Sequence, residues 1–173
     1  IPGYEDRAMC SHCNVEESLQ HILLECTRTG QQQVWDLASD LWKLKTGTAL
    51  PPLTLGGVLG CGLARLEVES KSRPSGLNRL YRILISESFY LIWRLRNECV
   101  ISNDGTPPSA SEVHNRWVFS LNERLDIDRY LACASSIDKR SRVRPALALS
   151  TWHRTLLDER SLPPDWLRAP RVL

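Results

Sequence analysis

The stretch GLNRLYRILISESFYLIWRLRNECVIS, Gly76–Ser102, sets the architecture of the chain. Leu77, Leu80, Leu84, Leu91, Leu95 and Cys99 lie roughly along one helical face. Ile83, Ile85, Ile92 and Trp93 widen the apolar surface around it. A helix apolar over most of its circumference belongs at the centre of a core. Its longest apolar run, ILISESFYLIW, is broken by Ser and Glu, and no run in the chain reaches the length of a bilayer crossing, so a membrane is not an expected partner.

Working outward, QQQVWDLASDLWKLK (Gln31–Lys45) places Val34, Leu37 and Leu41 at helical spacing, with Trp35, Ala38 and Trp42 as an adjoining stripe and Gly47 just beyond the end. GTALPPLTLGGVLGCGL (Gly47–Leu63) is too rich in Pro and Gly for a helix, and its apolar character predicts an ordered loop packed onto the core. Downstream, NDGTPP (Asn103–Pro108) breaks the chain. SASE (Ser109–Glu112) then has capping-box spacing: a hydroxyl at the N-cap and a carboxylate three residues on. A helix should follow through VHNRWVFSLNERLDIDRYLACA (Val113–Ala134), with Val113, Trp117, Leu121 and Leu125 on one stripe. After a basic link, Pro145 suits a first helical turn, ALALSTWHRTLLDE (Ala146–Glu159) reads as another helix, and LPPDWLRAP (Leu162–Pro170) as a last turn. No segment alternates like a strand. The expected fold is mostly α, a helical domain of about five helices.

At 173 residues, 42% hydrophobic and 24% charged, the chain has enough apolar material for a core and is too apolar for disorder. The net charge of +2 names no partner. The chain opens IPGYEDR, without an initiator Met or a signal-peptide pattern, and reads as a piece of a larger intracellular polypeptide or a processed form. Of the six cysteines, Cys99 and Cys133 stand alone in apolar surroundings and read as buried thiols, and Cys61 as a packed one.

The other three cysteines open the chain in CSHCNVEESLQHILLEC, Cys10–Cys26. Cys10 and Cys13 are close enough for one tight turn, and the helical periodicity of EESLQHILLEC places His21 and Cys26 on one short helix. Three sulfurs and an imidazole suit a closed tetrahedral Zn2+ site, and a site without an open position is structural rather than catalytic. His12 is a rival ligand that sits between the paired cysteines. The expected division is a zinc knuckle over 1–30 and a helical domain over 31–173 packed against it.

This pattern, C-x-x-C, an acidic stretch, then H-x-x-x-x-C, resembles the zinc-binding segment that follows the reverse transcriptase in non-LTR (LINE-type) retrotransposons. LIWRLRNECVIS (Leu91–Ser102) is similar to the W-x-x-R-N helix that follows the knuckle in many such polyproteins. EVHNRW (Glu112–Trp117) and LPPDWLRAPRVL (Leu162–Leu173) look like the C-terminal tail of fungal elements of this kind. The resemblance implies a region downstream of the polymerase, nucleic-acid binding and a nuclear location. It does not bring polymerase or RNase H activity, since neither a YxDD signature nor an RNase H carboxylate set is present.

The charges locate where RNA or DNA would bind. Residues 1–40 carry seven acids against two bases, and three thiolates on a zinc add negative charge, so the knuckle is a poor phosphate clamp and reads as a staple. The basic segments lie elsewhere. Arg79, Arg82, Arg94 and Arg96 fall in 71–96, and Lys139, Arg140, Arg142 and Arg144 in DKRSRVRP. Guanidinium groups can contact phosphate bidentately and stack on bases. Two other classes are a protein-interaction or self-association module and an enzyme. The second lacks a convergent catalytic set: His114 and His153 sit in helical patterns, and Ser86 and Ser88 have no His/Asp partners nearby in sequence. Asp126 and Asp128, flanked by Arg124 and Arg129, read as surface ion pairs, and GGVLGCG lacks the Lys of a phosphate loop.

Overall fold

The computed structural model describes residues 8–26, 28, 30–66, 75–102, 105–133 and 143–168. It contains five α-helices among them: α1 Gln31–Thr46, α2 Leu55–Leu59, α3 Ser75–Asn97, α4 Ala110–Cys133 and α5 Pro145–Trp152. There is no strand among the described residues, and none of the helices is long and apolar enough to cross a membrane.

The mostly-α expectation holds, and α3 is the central element. Leu80, Leu84, Ile85, Ile92 and Leu95 are essentially without solvent contact, and α1, α4 and α5 all pack against this helix. Burying a side chain of that size contributes about 1.5–3 kcal/mol. From α1 come Val34, Trp35, Ala38 and Trp42, with the Trp42 ring edge-on to Tyr81 at 5.7 Å. From α4 come Val113, Trp117, Leu121 and Leu125, the stripe read from the sequence.

The local signals operate as their chemistry requires. Gly47 takes φ 75° and closes α1 with a bond from its N–H to the Lys43 carbonyl. The Ser109 hydroxyl accepts from the Glu112 N–H at 3.1 Å, the hydroxyl half of a capping box. Pro145 opens α5 at the first turn. Lys45 donates to the carbonyls of Ser150 and His153 at 2.7 and 2.6 Å and so ties the end of α1 to the end of α5. Burial pushes its amine down to about 8, with Glu159 opposing and Arg154 adding to the shift.

Several sequence expectations change. Leu55–Leu59 is helical despite its glycines, because Thr54 caps it by accepting from the Gly57 N–H at 3.1 Å and Val58 is buried beneath it. The last helix stops at Trp152 rather than running to Glu159, and Arg154 then takes a left-handed φ of 65°. Cys133 is exposed rather than buried. Asp128 is not a surface residue: it is 0% exposed, grips Arg79 of α3 with both carboxylate oxygens and accepts from the Trp152 indole at 2.7 Å. Asp126 does form the surface ion pair, with Arg129.

Helices α3 and α5 approach closely at Gly76, where a Cβ would come within 2.6 Å of the Ser150 carbonyl carbon and 2.7 Å of its oxygen. Only a hydrogen fits between α3 and the α5 backbone there. Gly76→Ala should therefore lower unfolding stability by about 1–3 kcal/mol, read as a drop in the urea midpoint at unchanged slope.

Candidate metal centre

The N-terminal segment folds back on itself before the first long helix. Met9 and Glu16 form an antiparallel bridge, and bonds from Cys10 N–H to Val15 carbonyl and from Asn14 N–H to Cys10 carbonyl, both 2.8 Å, close the turn. Asn14 sits at φ 55°, a left-handed position that asparagine tolerates better than most residues. The turn carries Cys10 and Cys13. The chain then re-enters a short helical turn, where the Ser18 hydroxyl accepts from the His21 N–H at 3.1 Å.

His21–Glu25 is wound as a π-turn, closed by the Cys26 N–H on the His21 carbonyl at 2.8 Å. This winding refines the sequence reading. In an α-helix, residues five apart lie about 140° apart around the axis, so simple helical periodicity would point His21 and Cys26 away from each other. The wider i→i+5 turn brings them to the same side.

As a result, one donor atom from each of Cys10, Cys13, His21 and Cys26 lies within 4.8 Å of every other, a set that can hold a metal ion. The Cys26 sulfur is 4.0 Å from that of Cys10 and 3.9 Å from that of Cys13. All three thiols are free, with the Cys26 sulfur at nearly twice the length of a disulfide from each of the other two. His21 is 3% exposed; its Nδ1 lies 3.8 Å from a Glu25 carboxylate oxygen, while its Nε2 is sealed from water without a hydrogen-bond partner. A buried ring nitrogen without a partner is costly unless something else accepts its lone pair.

The thiols do not titrate alike. Burial raises Cys10, but the backbone N–H groups of Cys13 and His12 and the His21 ring outweigh it and bring the thiol down to about 7. Burial pushes Cys26 up to about 12, with the neighbouring sulfurs of Cys10 and Cys13 adding to the rise. Three sulfurs this close cannot all ionise without a cation among them.

The knuckle is bound firmly to the helices. Ile22 and Leu23 enter the main core, and the Trp35 indole donates to the Leu23 carbonyl at 2.7 Å. Arg96 donates to Glu17 at 2.7 Å, both side chains being largely buried, and Arg28 reaches Ser11 and the Gly105 carbonyl.

The arginines assigned from sequence to nucleic acid have diverse surroundings. Arg79 is held by Asp128 and Arg96 by Glu17. Arg82 donates to the Ala64 carbonyl at 2.9 Å. Arg94 is half exposed, 3.5 Å from Glu98, with its guanidinium 5.9 Å from the centre of the Tyr90 ring. Arg144 is exposed at the N-cap of α5. Lys139, Arg140 and Arg142 lie outside the described residues. The structural commitments of Arg79 and Arg96 were not legible in sequence, because each partner lies on a distant segment.

No protein-family model, curated protein or solved structure matches the chain.

Proposed function

We propose that the chain is a zinc-stapled helical module that binds RNA or DNA, without catalytic activity of its own, from the C-terminal part of a retroelement-type polyprotein acting in the nucleus. The observation that carries the zinc assignment is the donor geometry. Two sulfurs each about 2.3 Å from a tetrahedral zinc sit about 3.8 Å apart, against 3.9 and 4.0 Å here. The unpartnered His21 Nε2 supplies a nitrogen ligand, with the Glu25 carboxylate 3.8 Å from the other ring nitrogen. Four protein donors leave no open coordination position, so the metal fixes structure. It holds residues 1–30 against the helical domain over 31–173.

The nucleic-acid reading is supported by the likeness of CSHCNVEESLQHILLEC and LIWRLRNECVIS to the LINE-type pattern, and by one surface. Tyr90 is 56% exposed and Trp93 37% exposed, with Arg94 beside Tyr90. Exposed aromatic rings next to a guanidinium form a stacking platform for unpaired bases. Trp93, read from the sequence as part of the core surface, is turned outward by its place on the far side of α3 from Ile92 and Leu95.

Affinity of the zinc-loaded protein for single-stranded RNA and duplex DNA across a salt series tests this reading. The logarithm of the affinity should fall linearly with that of salt, by about 0.7 per phosphate contacted on a single strand. Arg94→Glu should weaken binding about tenfold and flatten the slope, since it removes one contact and adds a repulsion. Absence of binding at low salt would defeat the reading.

A further inference from the structure

A concave site lies on the body of the protein, apart from Cys10, Cys13 and Cys26. It is a cleft of about 810 Å³ between the turn Cys61–Leu63, the first half of α3, the middle of α4 and the start of α5. Among the described residues four arginines line it, Arg65, Arg79, Arg82 and Arg124, and no acidic residue does. Arg79 is neutralised from behind by Asp128. Among the described residues no carboxylate comes within ion-pair distance of Arg65, Arg82 or Arg124, although Glu87 acts on Arg124 from further away. Arg82 donates only to a neutral carbonyl, and the Nε atoms of both Arg82 and Arg124 are shut off from water without a partner.

Like charges held together at the wall of a low-dielectric body repel one another and are costly without counter-charge. A fold that places three such groups around one cleft has a binding surface for an anion. Arginine presents a planar fork that matches phosphate oxygens in pairs. The cleft is far larger than a bare phosphate and falls in the size range of small-ligand sites, with Ile83 and Leu147 as apolar wall. We propose that this cleft binds a small phosphorylated ligand of the nucleotide class, its phosphate held by Arg65, Arg82 and Arg124 and its body lying against Ile83 and Leu147. The inference goes beyond the nucleic-acid reading and does not depend on it: a polymer can bind at the Tyr90–Arg94 surface with this cleft empty, and the reverse.

Calorimetric titration of the zinc-loaded full chain with pyrophosphate, AMP and adenosine tests the proposal. Pyrophosphate and AMP should bind, and adenosine should bind at least about tenfold more weakly than AMP, since it lacks the charge-assisted bonds. Arg82→Gln and Arg65→Gln should each weaken AMP binding about tenfold. Arg65 is exposed and has no hydrogen bond or ion pair with another described residue, so Arg65→Gln remains informative if Arg82→Gln loosens the Ala64 contact. Oligonucleotides with a 5′-phosphate or a 5′-hydroxyl separate the sources of phosphate. Competition with AMP only by the phosphorylated end would place a chain terminus in the cleft. Equal competition by both would mean the internal phosphodiester backbone fills it, which overturns the small-ligand assignment. The proposal also fails if neither AMP nor pyrophosphate binds, if adenosine matches AMP, or if both variants bind like the parent.

Discussion

Cys26→Ser should strip the protein of metal and release the N-terminal segment from the helices. Cys26 touches both other sulfurs, at 3.9 and 4.0 Å, so its loss removes the shared corner of the donor set. A hydroxyl is a poor zinc ligand at neutral pH, because metal binding requires the ionised form. The expected zinc content falls from about one equivalent to none. Linkage sets the stability scale: a metal present at 1,000 times its dissociation constant stabilises the folded state by about 4 kcal/mol. Loss should appear as a lower urea midpoint, with earlier exposure of Trp35, whose indole is bonded to the Leu23 carbonyl. A chelator should reproduce the variant's behaviour in the parent protein, and Cys10→Ser should act in the same direction. Full stability and full zinc content in both serine variants would end the stapling idea.

Asp128→Ala should cost about 3–5 kcal/mol, the scale for removing one partner of a buried ion pair. The carboxylate has no solvent contact and holds three helices at one point: Arg79 from α3, Trp152 from α5 and its own α4. Its removal leaves a largely buried guanidinium without counter-charge and a buried indole N–H without an acceptor. Urea unfolding measures the loss. Pairing Asp128→Leu with Arg79→Met should recover part of it, since an apolar pair avoids the stranded charge. A single-variant loss below about 1 kcal/mol would mean that water replaces Asp128 without penalty, and the site would count as surface.

The helical body was largely legible because its apolar residues recur with the helical period. Leu80, Leu84, Leu91 and Leu95 on α3, and Val113, Trp117, Leu121 and Leu125 on α4, occupy the core positions that spacing assigned them. The four residues that could hold a metal ion were legible as a motif of residue types. What misled was residue type read without position. Asp128 continues the buried stripe of Leu121 and Leu125 by three residues, and that register, rather than its charge, governs its burial. Its flanking arginines suggested surface pairs, but the partner lies 49 residues away on another helix. Leu55–Leu59 was misjudged from its glycines, since one capping threonine and one buried valine suffice for a single turn. The arginine-lined cleft was invisible because its four guanidinium groups come from three separate stretches of chain.

The wide turn at His21–Glu25 makes the spacing between the last two ligands a ruler with little tolerance. Deleting Leu24 would leave three intervening residues, and an ordinary α-turn would then put histidine and cysteine on one side without any widening. Inserting a residue there would rotate the cysteine out of reach of the other three donors. Chains descended from a common ancestor can therefore contract this interval by one and keep the ion, whereas lengthening it by one demands a rebuilt loop. Insertions in the interval should be far rarer than after Val15, beyond the backbone bonds that close the first turn.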